Sequence, residues 1–316
     1  MKCKKKSKVF LVPYPAQGHV TPMLKLASLL VNHGINPIVI IPNFIKIDSK
    51  DVNISIMSIS DGLDQDGLTT SSGRDFFAIE KSMENYMPCQ LETIIRDQED
   101  GIVCLIVDLL ASWAIEIANK CGVHVAGFWP AMLATYKLIN SIPEMLHDGI
   151  ISETGEAKVN SLALALEATK RPFIWVLGPL WRQGLQKGYL ERISKQGKIV
   201  SWAPQMDVLQ HEGVGCYLTH CGWNSTMEAI QSKKRLMCYP VAGDQFLNCA
   251  YIVQKWRIGV MIDGFGVKDL EGGLRKVMED DGMSERIDRL NEMTMGKVAS
   301  CKAMDNLTTF LSSVRM

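Results

Sequence analysis

Residues 202–245, WAPQMDVLQHEGVGCYLTHCGWNSTMEAIQSKKRLMCYPVAGDQ, contain the clearest fold signal in the chain. The apolar run from Val214 to Leu218 is typical of a buried parallel strand, and Met227 and Ile230 continue after it at helical spacing. Further short apolar runs lie just before this stretch, at 198–201, and near its end, at 236–241. The stretch therefore predicts alternating strands and helices, as in an α/β fold.

The turn between this strand and this helix has the composition of a phosphate-binding turn. Gly222 permits a tight turn, and Asn224 and Ser225 are residue types that favour a helix N-cap. The free N–H groups and partial positive charge of a helix N-terminus attract phosphate. His220 could donate one more hydrogen bond. Taken alone, the turn is also compatible with an ordinary capped helix that contains a buried histidine. Such capped helices are commoner than phosphate-binding turns.

Residues at both ends of the stretch could contact the rest of a nucleotide-sugar. Trp202 follows an apolar run and could stack on a base, although a tryptophan at such a position usually belongs to the core. Glu228 lies one helical turn beyond Ser225, where its carboxylate could accept hydrogen bonds from ribose hydroxyls. Asp244 and Gln245 follow the next predicted strand. Because ligands of open α/β sheets lie at the carboxyl ends of strands, these residues are expected at one edge.

The whole stretch resembles, without a gap, the signature segment of plant family 1 UDP-glycosyltransferases, from its WAPQ opening through HCGWNS to its DQ ending. The resemblance implies an α/β fold of the glycosyltransferase B type, with two Rossmann-like doubly wound domains facing across a cleft. It implies a UDP-sugar donor, most simply UDP-glucose. In that family's pattern, Trp202 and Ala203 contact uracil, Gln205 and Glu228 hold the ribose, His220, Gly222, Asn224 and Ser225 bind the diphosphate, and Trp223, Asp244 and Gln245 touch the sugar.

A second candidate site lies near the beginning of the chain. A short apolar strand at 8–13 leads through the turn PAQGH to His19 and a helix with an apolar face. An imidazole titrates near neutrality and can accept a proton, although a histidine in such a turn often only packs or caps. Asp108 ends another buried run, at 102–107, and strand ends of a doubly wound sheet share one edge.

Asp108 could therefore orient the imidazole of His19, or it could simply cap a helix that begins near Ala111. The segments PYPAQGH and VDLLASWA resemble acceptor-domain motifs of the same glycosyltransferase family. The resemblance implies that His19 is the catalytic base and that Asp108 is its partner. It also implies a small hydroxylated acceptor, such as a phenolic or a terpenoid.

Composition limits the possible partners. The chain has 316 residues, 47% hydrophobic and 22% charged, with zero net charge, so nothing indicates a nucleic-acid partner. The basic start lacks the pattern of a signal peptide, and no apolar run is long enough for a membrane span. Nine cysteines without a C-x-x-C pair fit reduced thiols and a cytoplasmic location. No metal or cofactor is predicted, since Cys216, His220 and Cys221 have the spacing of a strand and turn, and Asp64-Gln65-Asp66 lies in a polar loop.

The order of apolar runs predicts repeated α/β units, and the family resemblance implies that these form two domains. Strands are expected near 8–12, 36–41, 53–58, 102–107, 123–128, 172–177, 198–201, 214–218, 235–239 and 258–262, with helices that include 75–96, 131–146 and 306–314. The resemblance implies that residues 1–155 form an acceptor-binding domain truncated at its end, and that residues 156–316 form a UDP-sugar-binding domain that lacks its first strand. The family resemblance is interrupted between about 155 and 161, where an internal block of the family's sequences has no counterpart in this chain. We expect the lost strand to expose its neighbours' edges.

Two alternatives stay open from the sequence. One is a truncated, catalytically inactive relative that binds UDP weakly or binds another protein. The other is a different nucleotide-using α/β enzyme, which the lack of G-x-G-x-x-G after the first strand disfavours, as the lack of G-x-S-x-G disfavours a serine hydrolase. An acceptor pocket is expected around residues 61–73, 75–87 and 129–136.

Overall fold

A computed structural model describes residues 8–45, 47, 54–62, 76–98, 101–131, 159–241 and 243–314. The chain divides into two compact units. Unit 1 comprises Met1–Pro130 together with Asn306–Met316, and unit 2 comprises Ala131–Asp305. Each unit is built on parallel strands with helices, which confirms the predicted α/β class. The domain boundary near 155 stays a prediction, because residues 132–158 lie outside the described part.

Unit 1 contains one five-stranded parallel sheet. Its elements are β1 (Lys8–Val12), α1 (Gln17–Asn32), β2 (Asn36–Pro42), β3 (Ser55–Ile59), α2 (Phe76–Asn85), α3 (Met87–Arg96), β4 (Cys104–Asp108), α4 (Trp113–Lys120) and β5 (Val125–Phe128). The strand order is β3-β2-β1-β4-β5. Because the chain runs outward in both directions from β1, the carboxyl ends of β1 and β4 flank the topological switch point, where ligands of doubly wound sheets bind.

The strands of unit 1 have apolar side chains on both faces, which explains their continuous apolar runs. Phe10 packs on one face with Leu91 of α3, and Leu11 packs on the other face with Met23 of α1. Residues from 306 onward also belong to this core, where Leu311 is almost fully buried. Burying a side chain of this size contributes about 1.5–3 kcal/mol.

Unit 2 contains two smaller parallel sheets. Its elements are α5 (Val159–Ala168), β6 (Phe173–Val176), α6 (Tyr189–Arg192), β7 (Gly197–Val200), α7 (Gln205–Gln210), β8 (Cys216–Thr219), α8 (Trp223–Gln231), β9 (Arg235–Cys238), α9 (Gln245–Ala250), β10 (Gly259–Met261), α10 (Val267–Glu279), α11 (Asp281–Met295) and the first part of α12 (Lys297–Val314). One sheet has the order β10-β9-β8, and the other pairs β6 with β7.

On one side, β6 pairs with β7 and β8 pairs with β9. On the other side, neither β6 nor β8 pairs with a strand in the described residues. Ile174 and Val176 of β6 are 55% and 53% exposed. Both strands nevertheless contribute to one core, since Trp175 packs in the same cluster as Tyr217 and Leu236. Loss of a family strand near 155–161 would leave such a divided sheet, and that loss stays a prediction.

Most predicted elements in the described residues agree with the structure to within a few residues, and two differ. The helix predicted at 75–96 is two helices that meet at Tyr86, because Pro88 lies in the first turn of α3 and cannot continue a preceding helix. The last helix begins at Lys297 instead of 306, directly after Gly296 ends α11. The helix predicted at 131–146 and the D-x-D at 64–66 lie outside the described residues, except Ala131. In the described part, no helix is both long and apolar enough to cross a membrane.

Candidate active site

His19 and Asp108 lie together at the switch point of unit 1. His19 is in the first turn of α1, just after β1, and Asp108 is the last residue of β4. Because β1 and β4 are neighbours, with Val12 paired to Val107, the two side chains converge despite their separation in sequence. Nδ1 of His19 lies 2.8 Å from Oδ2 of Asp108.

Asp108 uses both of its carboxylate oxygens. Oδ1 accepts a hydrogen bond from the backbone N–H of Leu110 at 3.0 Å and caps the 3-10 turn at 109–111. Oδ2 accepts from Nδ1 of His19. The Asp108 side chain is fully buried, whereas 22% of the His19 side chain is exposed. Since Nδ1 carries the donated proton, Nε2 has a free lone pair that can accept one. The histidine contact is present together with a cap, but the cap is on this short turn and not on helix α4, which begins at Trp113 with Ser112 as its N-cap.

Tyr14 is a site residue that the sequence did not single out. Its ring meets the ring of His19 edge-on, with centroids 5.2 Å apart at 61°. Burial, with a smaller contribution from Glu80 and Asp108, raises the pKa of Tyr14, so its hydroxyl stays neutral. Tyr14 therefore restricts the imidazole from one side while Asp108 holds it at Nδ1. Its place in PYPAQGH, five residues before His19, was the available signal.

In unit 2, the remaining predicted site residues follow the carboxyl ends of β7, β8 and β9. Trp202 comes two residues after β7, His220 comes directly after β8, and Asp244 precedes α9. β8 and β9 are neighbours in one sheet, so their carboxyl ends share an edge, whereas β7 belongs to the other sheet and its following loop reaches α8 through Gln205.

The helix after β8 begins one residue after Gly222, which is its N-cap and has no side-chain capping bond. Asn224 and Ser225 lie inside the first turn, so the prediction that these residue types cap the helix is wrong. The reason is the backbone just before the helix: Cys221 has a left-handed φ of 67°, and its N–H donates to Oγ1 of Thr219 at 3.0 Å. The turn is completed before Asn224 is reached.

Gly222 permits the close approach of the His220 ring. A Cβ at Gly222 would lie 2.5 Å from Nε2 of His220, well inside van der Waals contact. Although part of the His220 ring is open to solvent, neighbouring protein atoms displace water and lower its pKa, an effect partly opposed by Asp244. The imidazole is therefore predominantly neutral at pH 7 and can donate one hydrogen bond beside the helix N-terminus.

Gln205 connects the loop after β7 to α8. Its Nε2 donates to Oε2 of Glu228 at 2.8 Å and to Oγ of Ser225 at 3.1 Å. Its Oε1 accepts from the hydroxyl of Tyr217 at 3.0 Å. Gln205, Ser225, Glu228 and Tyr217 thus form one connected polar cluster, and the ribose assignment of Gln205 and Glu228 stays a prediction. Tyr217 was missed, because in the sequence it is one more apolar residue of a strand.

The other predicted donor residues have separate contacts of their own. Trp202 is 74% exposed and is not part of the core, so its ring faces are free for stacking. Trp223 lies near Trp256, with ring centroids 6.5 Å apart. Asp244 accepts from Nδ2 of Asn248 at 2.9 Å, and Oε1 of Gln245 accepts from the backbone N–H of Val241 at 2.9 Å. Ala203 is partly buried beside Trp202.

The chain was compared with known proteins. The sequence profile described as UDP-glucoronosyl and UDP-glucosyl transferase matches residues 147–306. UDP-glycosyltransferase 82A1 of Arabidopsis thaliana is 36% identical over 457 aligned positions that cover 98% of each chain. The chain belongs to the UDP-glycosyltransferase family. Anthocyanidin 3-O-glucosyltransferase 7 of Manihot esculenta is 38% identical over 163 aligned positions that cover 48% of this chain and 56% of that relative.

A solved structure agrees in fold. Os79 from O. sativa, crystallised in complex with UDP, is similar with a TM-score of 0.83 and 19% identity, covering 97% of this chain and 100% of that one. This likeness confirms the predicted glycosyltransferase B-type class.

The alignment with the Arabidopsis relative also reveals a difference in length. It extends over 457 positions, whereas this glycosyltransferase has 316 residues. At least 141 positions of the relative, the difference between those two numbers, therefore have no counterpart in this chain. Since the alignment covers 98% of both chains, these positions lie within the relative and not at its ends.

Proposed function

We propose that this glycosyltransferase moves glucose from UDP-glucose to a hydroxyl group of a small acceptor, with inversion at the anomeric carbon. His19 removes the acceptor proton at Nε2, and the resulting oxygen attacks the anomeric carbon from the side opposite UDP. The bond between that carbon and the diphosphate oxygen breaks, and UDP leaves with the electron pair. Asp108 stabilises the imidazolium that forms.

The observation that supports this mechanism best is the contact between His19 and the fully buried Asp108. The carboxylate fixes the tautomer in which Nε2 is the basic atom. It also lies close enough to favour the charged ring once the proton has moved. A general base positioned in this way contributes typically about 10²–10⁴-fold to a rate.

On the donor side, we propose that α8 stabilises the departing diphosphate. Its first turn has no acidic residue and no capping side chain among the described contacts, so its N–H groups can meet phosphate oxygens. His220, Asn224 and Ser225 bind the diphosphate beside Gly222, and Gln205 and Glu228 hold the ribose. Trp202 and Ala203 contact uracil, and Trp223, Asp244 and Gln245 contact the sugar. In this mechanism the helix provides the charge stabilisation that other enzymes obtain from a metal.

We propose a phenolic acceptor as the first to test, because the Manihot esculenta relative is named for an anthocyanidin. We further propose that the chain acts in the cytoplasm, where its scattered cysteines would stay reduced.

His19→Ala tests the catalytic assignment. The matched control is His33→Ala, which changes the C-cap histidine at the other end of the same helix. Transfer from UDP-glucose to a phenolic is followed by mass spectrometry of the product. We expect His19→Ala to lower kcat by about 10²–10⁴-fold and to leave the thermal shift caused by UDP unchanged, with His33→Ala close to wild type. Full transfer by His19→Ala would refute the mechanism.

A second candidate function is UDP binding without transfer. It is favoured by the divided sheet of unit 2, with Ile174 and Val176 more than half exposed, and by the positions that have no counterpart. Thermal melts with millimolar UDP separate the candidates. UDP at about 100 times its dissociation constant stabilises a competent fold by about 2.7 kcal/mol. A shift together with product supports transfer, a shift without product supports the binding role, and no shift contradicts both.

A further inference from the structure

Three cysteine thiols meet behind the turn that follows β8. The Sγ atoms of Cys221, Cys238 and Cys249 all lie within 4.8 Å of one another. Each of the three residues is at most 3% exposed. Cys216, which the sequence places nearest to Cys221, is not part of this cluster.

Three separate elements bring these thiols together. Cys238 is the last residue of β9 and pairs in register with Thr219 of β8, so Cys221 follows only two residues beyond that pair. Because the backbone at Cys221 is left-handed, the chain leaves the direction of β8 there, and the residue is buried in the core. Cys249 comes from α9, which packs next to α8. The cluster therefore depends on the tertiary fold and not on any short sequence motif.

The donor set of the cluster is entirely sulfur. Soft thiolate donors favour Cu(I) and zinc among biological metals. Structural zinc sites are four-coordinate, whereas this group offers three ligand atoms in a buried position. We propose that Cys221, Cys238 and Cys249 form a binding site for one soft monovalent metal ion of the Cu(I) class. The ion enters already reduced, and each thiol that coordinates it releases its proton to solvent.

An ion at this position would connect two segments of the candidate donor site. The backbone carbonyl of Cys221 accepts a hydrogen bond from Nδ2 of Asn248 at 2.9 Å, and the same Nδ2 donates to Asp244. Cys221 lies between His220 and Gly222, and Cys249 directly follows Asn248. Metal binding is expected to hold the turn after β8 and helix α9 together, and to raise the melting temperature of the chain.

The test uses the full chain with three other cysteines replaced by serine. These are the exposed Cys89 and Cys301, together with Cys3, which lies outside the described residues. Cu(I) is added without oxygen, and the chain is then dialysed against a Cu(I) chelator such as bathocuproine disulfonate. We expect one retained copper per chain, and an X-ray absorption spectrum with a sulfur-only shell of three atoms.

Single alanine variants locate the site. Cys249→Ala and Cys238→Ala are expected to lose the retained copper, whereas Cys216→Ala, a change of the same size in β8, is expected to keep it. The absorption spectrum of the parent chain decides the matter even if a core variant does not fold. Copper removed by the chelator from the parent chain, a shell that contains nitrogen or oxygen, or a disulfide in place of metal would each overturn the proposal.

Discussion

The Asp108→Asn substitution separates the two tasks of the buried carboxylate. In the wild type, Oδ1 accepts from the N–H of Leu110 and Oδ2 accepts from Nδ1 of His19. An asparagine has the same shape but only one acceptor oxygen, so it can satisfy only one of these donors. Its amide group must face the other.

The two orientations of the asparagine have different costs. If the amide group faces Leu110, two donors meet and a buried N–H is left unsatisfied, which costs about 1–3 kcal/mol. If it faces His19, the ring avoids that cost by moving its proton from Nδ1 to Nε2. The second orientation is therefore favoured, and it blocks the atom that must accept the acceptor proton. We expect kcat to fall by about 10²–10⁴-fold, equivalent to about 2.7–5.4 kcal/mol at 1.36 kcal/mol for each tenfold. Folding stability should fall by only about 1–2 kcal/mol.

Two measurements check this expectation. Transfer kinetics give kcat, and the ¹⁵N shifts of the His19 ring report which nitrogen carries the proton even if transfer is slow. Asp97→Asn makes the same chemical change at an exposed C-cap in the same unit and should leave both unchanged. An unchanged kcat in Asp108→Asn, or a His19 ring still protonated at Nδ1 alone, would refute the argument.

Three further predictions concern Gly222, Tyr14 and Cys104. Gly222→Ala forces the His220 ring away from the helix N-terminus and should weaken UDP binding about tenfold, or about 1.4 kcal/mol. The control Gly272→Ala, which has open space around its Cβ, should leave UDP binding unchanged. Equal UDP affinity of both variants by calorimetry would contradict a role for the close approach of His220 to Gly222. Tyr14→Leu removes the edge contact with His19 and should lower kcat roughly 2- to 12-fold, because such contacts contribute about 0.5–1.5 kcal/mol. Tyr14→Phe keeps the ring, so its kcat should stay near the wild-type value. A normal kcat in Tyr14→Leu would mean that the ring does not restrict the imidazole. Burial raises the pKa of Cys104 to about 11, so its protonated form is favoured in the folded chain. The resulting stability is present below the unfolded thiol pKa of about 8.5 and is lost as the pH rises toward 11. Peptide mapping after iodoacetamide at pH 8 should find Cys89 modified and Cys104 intact.

The strands could be predicted from sequence because parallel strands buried on both faces appear as continuous apolar runs. The position of His19 and Asp108 followed from the same logic, since polar residues after β1 and β4 must reach one edge of the sheet. The family resemblance also grouped Gln205 with Glu228, and the structure shows that their side chains are hydrogen-bonded. These are features that a periodic pattern or a strand end determines.

Contacts that depend on how side chains pack could not be predicted in this way. Tyr14 and Tyr217 look like core residues, and only packing shows that one meets an imidazole and the other a glutamine. Cys221, Cys238 and Cys249 are far apart in sequence, and the pairing of β8 with β9 and the position of α9 bring them together. The helix start after Gly222 depended on the left-handed backbone at Cys221, which residue preferences at Asn224 and Ser225 did not reveal.

Unit 1 is discontinuous, because residues 306–316 belong to it while 131–305 form unit 2. A ribosome that adds about 5–20 residues per second needs roughly 9–35 s to synthesise the intervening 175 residues. During that time the hydrophobic surface that Leu311 covers is open on the nascent chain. The N-terminal unit is therefore expected to depend on chaperones for longer than its position at the start of translation would suggest.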